Sequence, residues 1–500
     1  MKNILYILIF LLTGFLYRLN AQEKIINLDL EEVIKQSQEQ SIESIIARQV
    51  FQQSYWEYRT YKADMKPSLS MNLNPIVYER KINRDFNWTT GVYEYHETNI
   101  NTSSTTLSLS QNIVPTGGIL QLNSDLYGNF DIDNSSWDYS TSPYVSITQP
   151  LSGYNSFKWT RRIEPRKYEI AKRVYIQAME DLALKAIDLF FDLSSAQVSL
   201  KIAEINHKDA DTLYHISQGR YQIGKISENE LLQMELNYLN SRTNLNDARI
   251  NLSQAQFEIK SFLGYNEQVV IELTIPDTVP HIFVEMQKAV SEAKMNNPAI
   301  LSNEKSLLES ERNLAEIKAQ KGINADMSLT YGLSRIDTLF PNIVTETNDY
   351  TRTQSINVGI TIPIVDWGLN RGKYKMAQLN YEIARLQVEQ AIIDFEQSVI
   401  LQVLQFNMQE EQFEIAKKSE YVANKKYEVS KNRFLTGKID VLDLNIAQKE
   451  KDTEKINYIN SLRNYWKSIF YIRRITLYDF ALDQSIYEKY QNKFEMELLQ

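Results

Sequence analysis

Two rhythms of apolar residues run through this chain. The first has period two. In Ser355–Ile364, Ile356, Val358, Ile360, Ile362 and Ile364 share one face, and Ser355, Asn357, Gly359 and Thr361 share the other. Met327, Leu329, Tyr331 and Leu333 alternate in the same way with Ser328, Thr330, Gly332 and Ser334. Nearer the start, Leu69, Met71 and Leu73 alternate with Ser70, Asn72 and Asn74, and Val145 and Ile147 precede Pro150. Strand segments of about ten residues, apolar on one face and small or polar on the other, fit transmembrane β-barrel strands. A soluble half-buried sheet shows the same alternation, so the choice between them rests on the rest of the chain.

The second rhythm steps by four and three. Leu182, Ala186, Leu189, Leu193, Ala196, Leu200 and Ala203 mark a 3.5-residue seam, which predicts coiled-coil-like helix packing. The outgoing helix, over about 166–217, would be roughly 80 Å long at 1.5 Å per residue. Returning helices are expected over about 228–263 and 441–475. Charged residues are spread along these segments, so the helices must project into water rather than lie in lipid.

The chain also repeats itself. Pro150 and Pro363 are 213 positions apart, and so are Gly224 and Gly437. At that offset the first seam maps onto Phe395, Val399, Gln402, Phe406, Gln409, Phe413 and Ala416, keeping its register. An internal repeat of this size is a duplicated supersecondary unit. The expected organisation is a leader over 1–21, a first repeat over 22–265 and a connector over 266–281. A second repeat over 282–478 and a tail over 479–500 complete it. Within the repeats, strands are expected over about 68–150 and 325–364, and helices over about 153–263 and 367–475. Asn297 and Pro298 read as the cap and first position of a helix. The first copy carries extra residues, Thr106–Val114, a turn at Pro115–Gly118, and Ile119–Phe130. They read as another hairpin, expected outside the membrane sheet.

Composition narrows the function. Charged residues make up 23% of the 500, and the formal net charge is −9, which disfavours nucleic acid as a partner. Lys2, the apolar run Ile4–Leu16 and small Ala21 read as a secretory leader cleaved after Ala21. Past it, no run approaches the ~18 apolar residues of a spanning helix. There is no cysteine, and His96, His207, His215 and His281 form no metal-ligand spacing. No GxSxG elbow or phosphate-binding loop is present. The chain therefore reads as a non-enzyme without cofactors.

The most informative local positions surround the repeated glycines. Gly224 and Gly437 fit chain reversals that need positive φ. Ser227 and Glu230 make an S-x-x-E capping box, and Asp440 with Asp443 offers a similar first-turn cap. Pro150 and Pro363 fit strand-to-helix junctions, where a missing donor is tolerated.

Taken together, the segments ITIPIVDWGLNRGKYKMAQ, RYQIGKISENELLQMELNYLNSRTNLNDA and RFLTGKIDVLDLNIAQKEKD resemble the TolC-like outer-membrane efflux family, and the likeness spans roughly Leu28 to Tyr478. The resemblance implies a mainly α, internally duplicated fold with transmembrane β-structure. A long α-helical barrel would hang below a 12-stranded barrel made by a homotrimer, four strands per subunit. Closure by oligomerisation also follows from physics, since four strands cannot close around side chains and about eight are needed. The resemblance further implies a passive outer-membrane conduit that meets a periplasmic adaptor and an inner-membrane pump at its periplasmic tip. On the family pattern, Asp443 belongs to the constriction of that tip, and Glu230 is its counterpart in the first copy. Three-fold acidic rings of this kind favour cations. The pattern breaks at Ile439 and Ile446, which stand where the family carries a basic residue and a second carboxylate. The competing readings are a periplasmic coiled-coil adaptor or structural protein without a barrel, and a soluble helical scaffold.

Overall fold

The computed structural model describes residues 24–497 apart from 152, 267, 277 and 346–349, so the expected leader lies outside the described residues. The chain forms two compact units, and each draws on both repeats. One gathers Gln53–Ile170 and Leu301–Ala391; the other gathers the described residues up to Gln52 with Ala171–Ile300 and those from Ile392.

The first of these units is organised by a six-stranded antiparallel sheet. Its strands are β2 (Ser68–Asn87), β3 (Val92–Ile113), β4 (Gly118–Asp131), β5 (Ser136–Pro150), β7 (Asn324–Asp337) and β8 (Thr351–Thr361), in that spatial order. This sheet therefore holds two strands beyond the four expected for the barrel. The hairpin over Thr106–Phe130 is not outside the sheet, because β3 and β4 pair from Ile100↔Asp131 to Ile113↔Gly118, and β4 pairs on to β5. Its Ser/Thr-rich stretch holds only Leu107 and Leu109 as apolar alternators, so its period-two signal was weak.

The registers carry one face across all six strands. Leu69 pairs with Leu109, Leu109 with Leu122, Leu122 with Val145 and Val145 with Tyr331. Leu120 leads through Ile147 and Leu329 to Ile356. The opposite face holds Ser70, Ser108, Asn123, Ser146, Thr330 and Ser355. Leu69, Met71, Leu73, Leu107, Leu109, Leu122, Val145, Tyr331, Ile356, Val358 and Ile360 are all exposed in the single chain. Moving such half-covered side chains into an apolar medium is worth about 1 kcal/mol each, or ~10 kcal/mol together. That is on the order of a whole domain's net stability, so this face is built for lipid rather than water.

Strands β5 and β8 each hand over to a long helix. Asn155 accepts from the Lys158 amide at 3.0 Å and opens α3 (Ser156–Gln222). Asp366 accepts from the amides of Gly368 and Asn370 at 2.9 and 3.1 Å and opens α8 (Leu369–Leu435). These bonds hold the Asp366 carboxyl below the usual range. Each helix has 67 residues, about 100 Å of rise. Helix α2 (Ile42–Asp64) leads into β2, and α6 (Pro298–Gln320) leads into β7, with Asn297 Oδ1 accepting from the Ala299 amide at its start.

In the second unit, α3 returns as α4 (Glu228–Leu263), and α8 returns as α9 (Val441–Thr476). The expected seams face the core: Ala186, Leu193, Val399, Phe406 and Phe413 are buried with Ile259, Ile459 and Tyr465. The same core holds α1 (Leu30–Gln40) and a two-stranded parallel sheet, β1 (Lys24–Leu28) with β6 (Val269–Leu273). The connector over 266–281 thus contains a strand. Gln197 and Gln256 both donate to the Ile271 carbonyl, at 2.9 and 2.6 Å, and fix that strand to α3 and α4. Helices α5 (Met286–Asn296) and α10 (Ile486–Glu497) complete the unit. No helix among the described residues is long and apolar enough to cross a membrane.

Candidate functional site

The two helical hairpins end in the same structure, built twice. At the first, the Gly224 amide donates to the Tyr221 carbonyl and the Lys225 amide to the Arg220 carbonyl, both at 2.9 Å. At the second, Gly437 donates to Phe434 and Lys438 to Arg433, again at 2.9 Å. This pair of bonds satisfies the last carbonyls of a helix and requires a left-handed residue at the glycine. Gly224 and Gly437 have φ of 69° and 71°. A Cβ would meet nothing within 4 Å at either position, so backbone conformation, not crowding, explains the glycine.

The returning helices are capped next. Ser227 caps α4: its Oγ accepts from the Glu230 amide at 3.3 Å, while Glu230 Oε2 accepts from the Ser227 amide at 2.7 Å and hydroxyl at 2.8 Å. Those bonds hold the Glu230 carboxyl below the usual range, against a weaker upward push from burial and from Asp440. Asp440 caps α9 by accepting from the Asp443 amide at 2.9 Å. Asp443 itself is exposed, and among the described residues no hydrogen bond engages its carboxylate. The two acidic candidates therefore differ: Glu230 is occupied by its cap, and Asp443 is free to face solvent or an ion.

Polar links tie one hairpin to the other. Arg220, at the end of α3, donates to the Leu435 carbonyl at 2.8 Å, placing a cation on the C-terminus of α8. About three turns further back along α3, Asp209 Oδ2 accepts from Tyr427 Oη at 2.9 Å and from Lys431 Nζ at 2.7 Å, both on α8. Burial, then the Asp209 charge, push the Tyr427 hydroxyl far above its ordinary value, so it stays a donor. Asn206 donates to Asp452 at 2.6 Å, and Asn237 to Asn445 at 3.1 Å. Beside them sits an apolar plug of Leu213, Met234, Tyr427, Phe434, Val441 and Leu444. A cleft of about 540 Å³, with Asn206, Asn237, Asn244, Asn445 and Asp452 in its lining, opens along the same helices.

The remaining expected positions lie elsewhere. Pro150 is the last residue of β5, opposite Asp326, and Pro363 follows the end of β8. The sequence pointed to the turns, caps and Asp443, but not to Asp209, Tyr427, Lys431 or Arg220. The signal available was a break in the repeat: at the 213 offset Asp209 maps onto Val422 and Lys431 onto Gln218. Among the described residues, no group of three or more His, Cys, Asp and Glu side chains is arranged to hold a metal ion.

Comparison with known proteins fits this geometry. The chain resembles the CmeC outer membrane channel of Campylobacter jejuni, with a TM-score of 0.65 and 15% identity over 94% of this chain and 89% of that one. It resembles the outer membrane protein VceC of Vibrio cholerae at a TM-score of 0.60, with 10% identity over 89% of this chain and 95% of that one. The open state of the MtrE outer membrane channel of Neisseria gonorrhoeae gives 0.58, with 14% identity over 89% and 88%. No curated protein matches the sequence. The model of one family, described as outer membrane efflux protein, matches residues 99–265 and 289–474, most of both repeats. The chain belongs to the outer membrane efflux protein family.

Proposed function

We propose that this chain is one subunit of a homotrimeric, passive conduit in a tripartite efflux or secretion system, opening and closing at the paired hairpin tips. Membership of the family makes it an outer-membrane channel protein rather than an enzyme. In the proposed assembly, residues 1–21 are a leader removed on export, the lipid-facing sheet joins copies into a barrel, and the long helices form a periplasmic tube. The drive comes from an inner-membrane pump acting through a periplasmic adaptor that engages the tips.

The observation that carries this reading is the tip itself. Two copies of one helix-ending motif are tied by Asp209 to Tyr427 and Lys431, and by Arg220 to Leu435, while Asp443 keeps an unengaged carboxylate. Links between hairpins are what a resting closure needs, because an opening motion must separate the tips. A three-fold axis would gather three Asp443 carboxylates at the constriction and favour cations there. Glu230, bound into its cap, serves the turn.

The test is Asp443→Asn in planar bilayers under a salt gradient. The expected result is a several-fold fall in cation-over-anion preference with the trimer intact. An unchanged reversal potential would overturn the constriction role.

A further inference from the structure

We propose that all six strands of each chain lie in the membrane, and that β8 of one copy pairs with β2 of the next, closing an eighteen-stranded barrel from three copies. The inference rests on the trimeric reading above and deepens it, since four strands per chain would give twelve.

Three observations place the extra hairpin in lipid. The apolar face continues into it: Leu107 and Leu109 on β3 pair with Met71 and Leu69 on β2, and Leu122 on β4 pairs with Leu109, with Ser124 opposite Leu107. An aromatic row then borders that face. Phe130 on β4 lies 5.0 Å from Trp137 on β5, which stacks on Tyr139 at 5.5 Å, which meets Phe340 at 5.4 Å. Such rows mark the membrane–water boundary of β-barrels, and one member belongs to the added hairpin. Finally, ten residues separate Leu120 from Phe130. At ~3.4 Å per residue and a tilt of ~40°, that is a band of roughly 26 Å, against the ~25 Å expected of such barrels.

The free edges identify the partner. Among the described residues nothing pairs with the outer edge of β2 or of β8. Six strands cannot close on themselves, since about eight are needed merely to enclose side chains. In hydrocarbon an open edge leaves a row of unmet amides and carbonyls. The six-strand count is even and every pairing is antiparallel, so β8 and a neighbouring β2 also run antiparallel with their apolar faces on the same side. The two edges are different surfaces, so the contact is head-to-tail and closes a ring by rotation.

Both edges offer a regular stretch to pair: β8 has 11 residues, and β2 keeps its alternation over Ser68–Asn74 before a register shift between Asn74 and Val77. Beyond the shift the β2–β3 hairpin carries polar pairs, Arg80 with Glu97 and Asn87 with Glu94, and runs on into water. A ring of eighteen strands has a backbone radius of roughly 18 Å, against roughly 12 Å for twelve, at a tilt of ~40°.

The sequence contains no cysteine, so paired cysteines report the seam directly. In outer membranes of cells making the full chain, Val358→Cys is combined in turn with Leu69→Cys, Met71→Cys or Leu73→Cys on β2, and with Leu120→Cys, Leu122→Cys or Leu126→Cys on β4. Val358 with Met327, paired inside the chain, is the positive control. The expected result is a ladder of disulfide-linked dimers and trimers for at least one β2 partner and none for β4. Cross-links to β4, or no β2 cross-link while the control oxidises and channels form in bilayers, would overturn the eighteen-strand ring alone. Failure of the unsubstituted protein to form trimers or channels would overturn the conduit reading together with it.

Discussion

Tyr427→Phe isolates the resting closure better than any other single change. The Tyr427 ring is 3% exposed, so the substitution keeps its packing against Leu213 and Phe434 and deletes only the hydroxyl. What is lost is one hydrogen bond to a charged acceptor, Asp209, at 2.9 Å. Bonds of that type are worth about 1.5–3 kcal/mol, and the partly exposed Lys431–Asp209 pair that remains contributes ~0.5–1 kcal/mol. Taking the low end, each chain's closed state loses ~1.5 kcal/mol. If three chains open together, the equilibrium moves by ~4.5 kcal/mol, on the order of 10³-fold toward open. Asp209→Asn removes the charge that both donors share. Its effect should overlap with that of Tyr427→Phe rather than add, because the two changes break one network. The assay is the fraction of time single channels spend in their high-conductance state in planar bilayers. Trimers of both variants with an unchanged open fraction would show that these bonds do not hold the gate.

Two further outcomes follow from the helical unit. Glu180 is 1% exposed and takes two 3.0 Å bonds from Arg473, so Arg473→Leu should cost about 3–5 kcal/mol by stranding a buried carboxylate. Burial already pushes the Glu180 carboxyl up while Arg473 pulls it down, so without Arg473 the protonated form is favoured. The variant's deficit in thermal melting should therefore grow as pH rises from about 5 to 8, and a deficit that shrinks over that window would refute the assignment. Ser227→Ala should weaken the first turn of α4 by ~1 kcal/mol, read as faster amide exchange there than in the parent. Glu230's folded value is depressed, so its share of the box is present above the unfolded carboxylate value and fades as pH falls through the folded one. The parent should thus approach the variant in acid, and a constant gap between them would count against the box.

Local signals are legible in the sequence. A glycine at a forced reversal, a serine three residues before a glutamate, and Ile or Leu on every second position each reveal themselves within a few residues. Gly224, Gly437, Ser227 and the strands at 324–337 and 351–361 were legible for that reason. The β3–β4 hairpin was legible as a hairpin but not as part of this sheet, because Ser103, Thr105, Ser124 and Gly128 interrupt its apolar face. Its place depends on pairing with β2 and β5, which no local pattern encodes. Strand β6 is five residues followed by Pro276 and Pro280, and its meaning comes from β1, far away in sequence. Tyr427 and Asp209 are 218 positions apart and meet only once both long helices are packed.

The differences between the two copies also bear on how the tips can part. Asp209 corresponds to Val422, Tyr427 to Tyr214 and Lys431 to Gln218. The link therefore exists only where the first copy's helix α3 meets the second copy's helix α8 within a chain. In a ring where the copies alternate, the opposite junction, between chains, would set Val422 beside Tyr214 and Gln218, with no charge to share. A ring so built is held unequally around its circumference. If Tyr427→Phe raises the open fraction, opening must move the two hairpins of one chain against each other. If it does not, opening runs along the junctions between chains, where Val422 and Gln218 offer no ion pair.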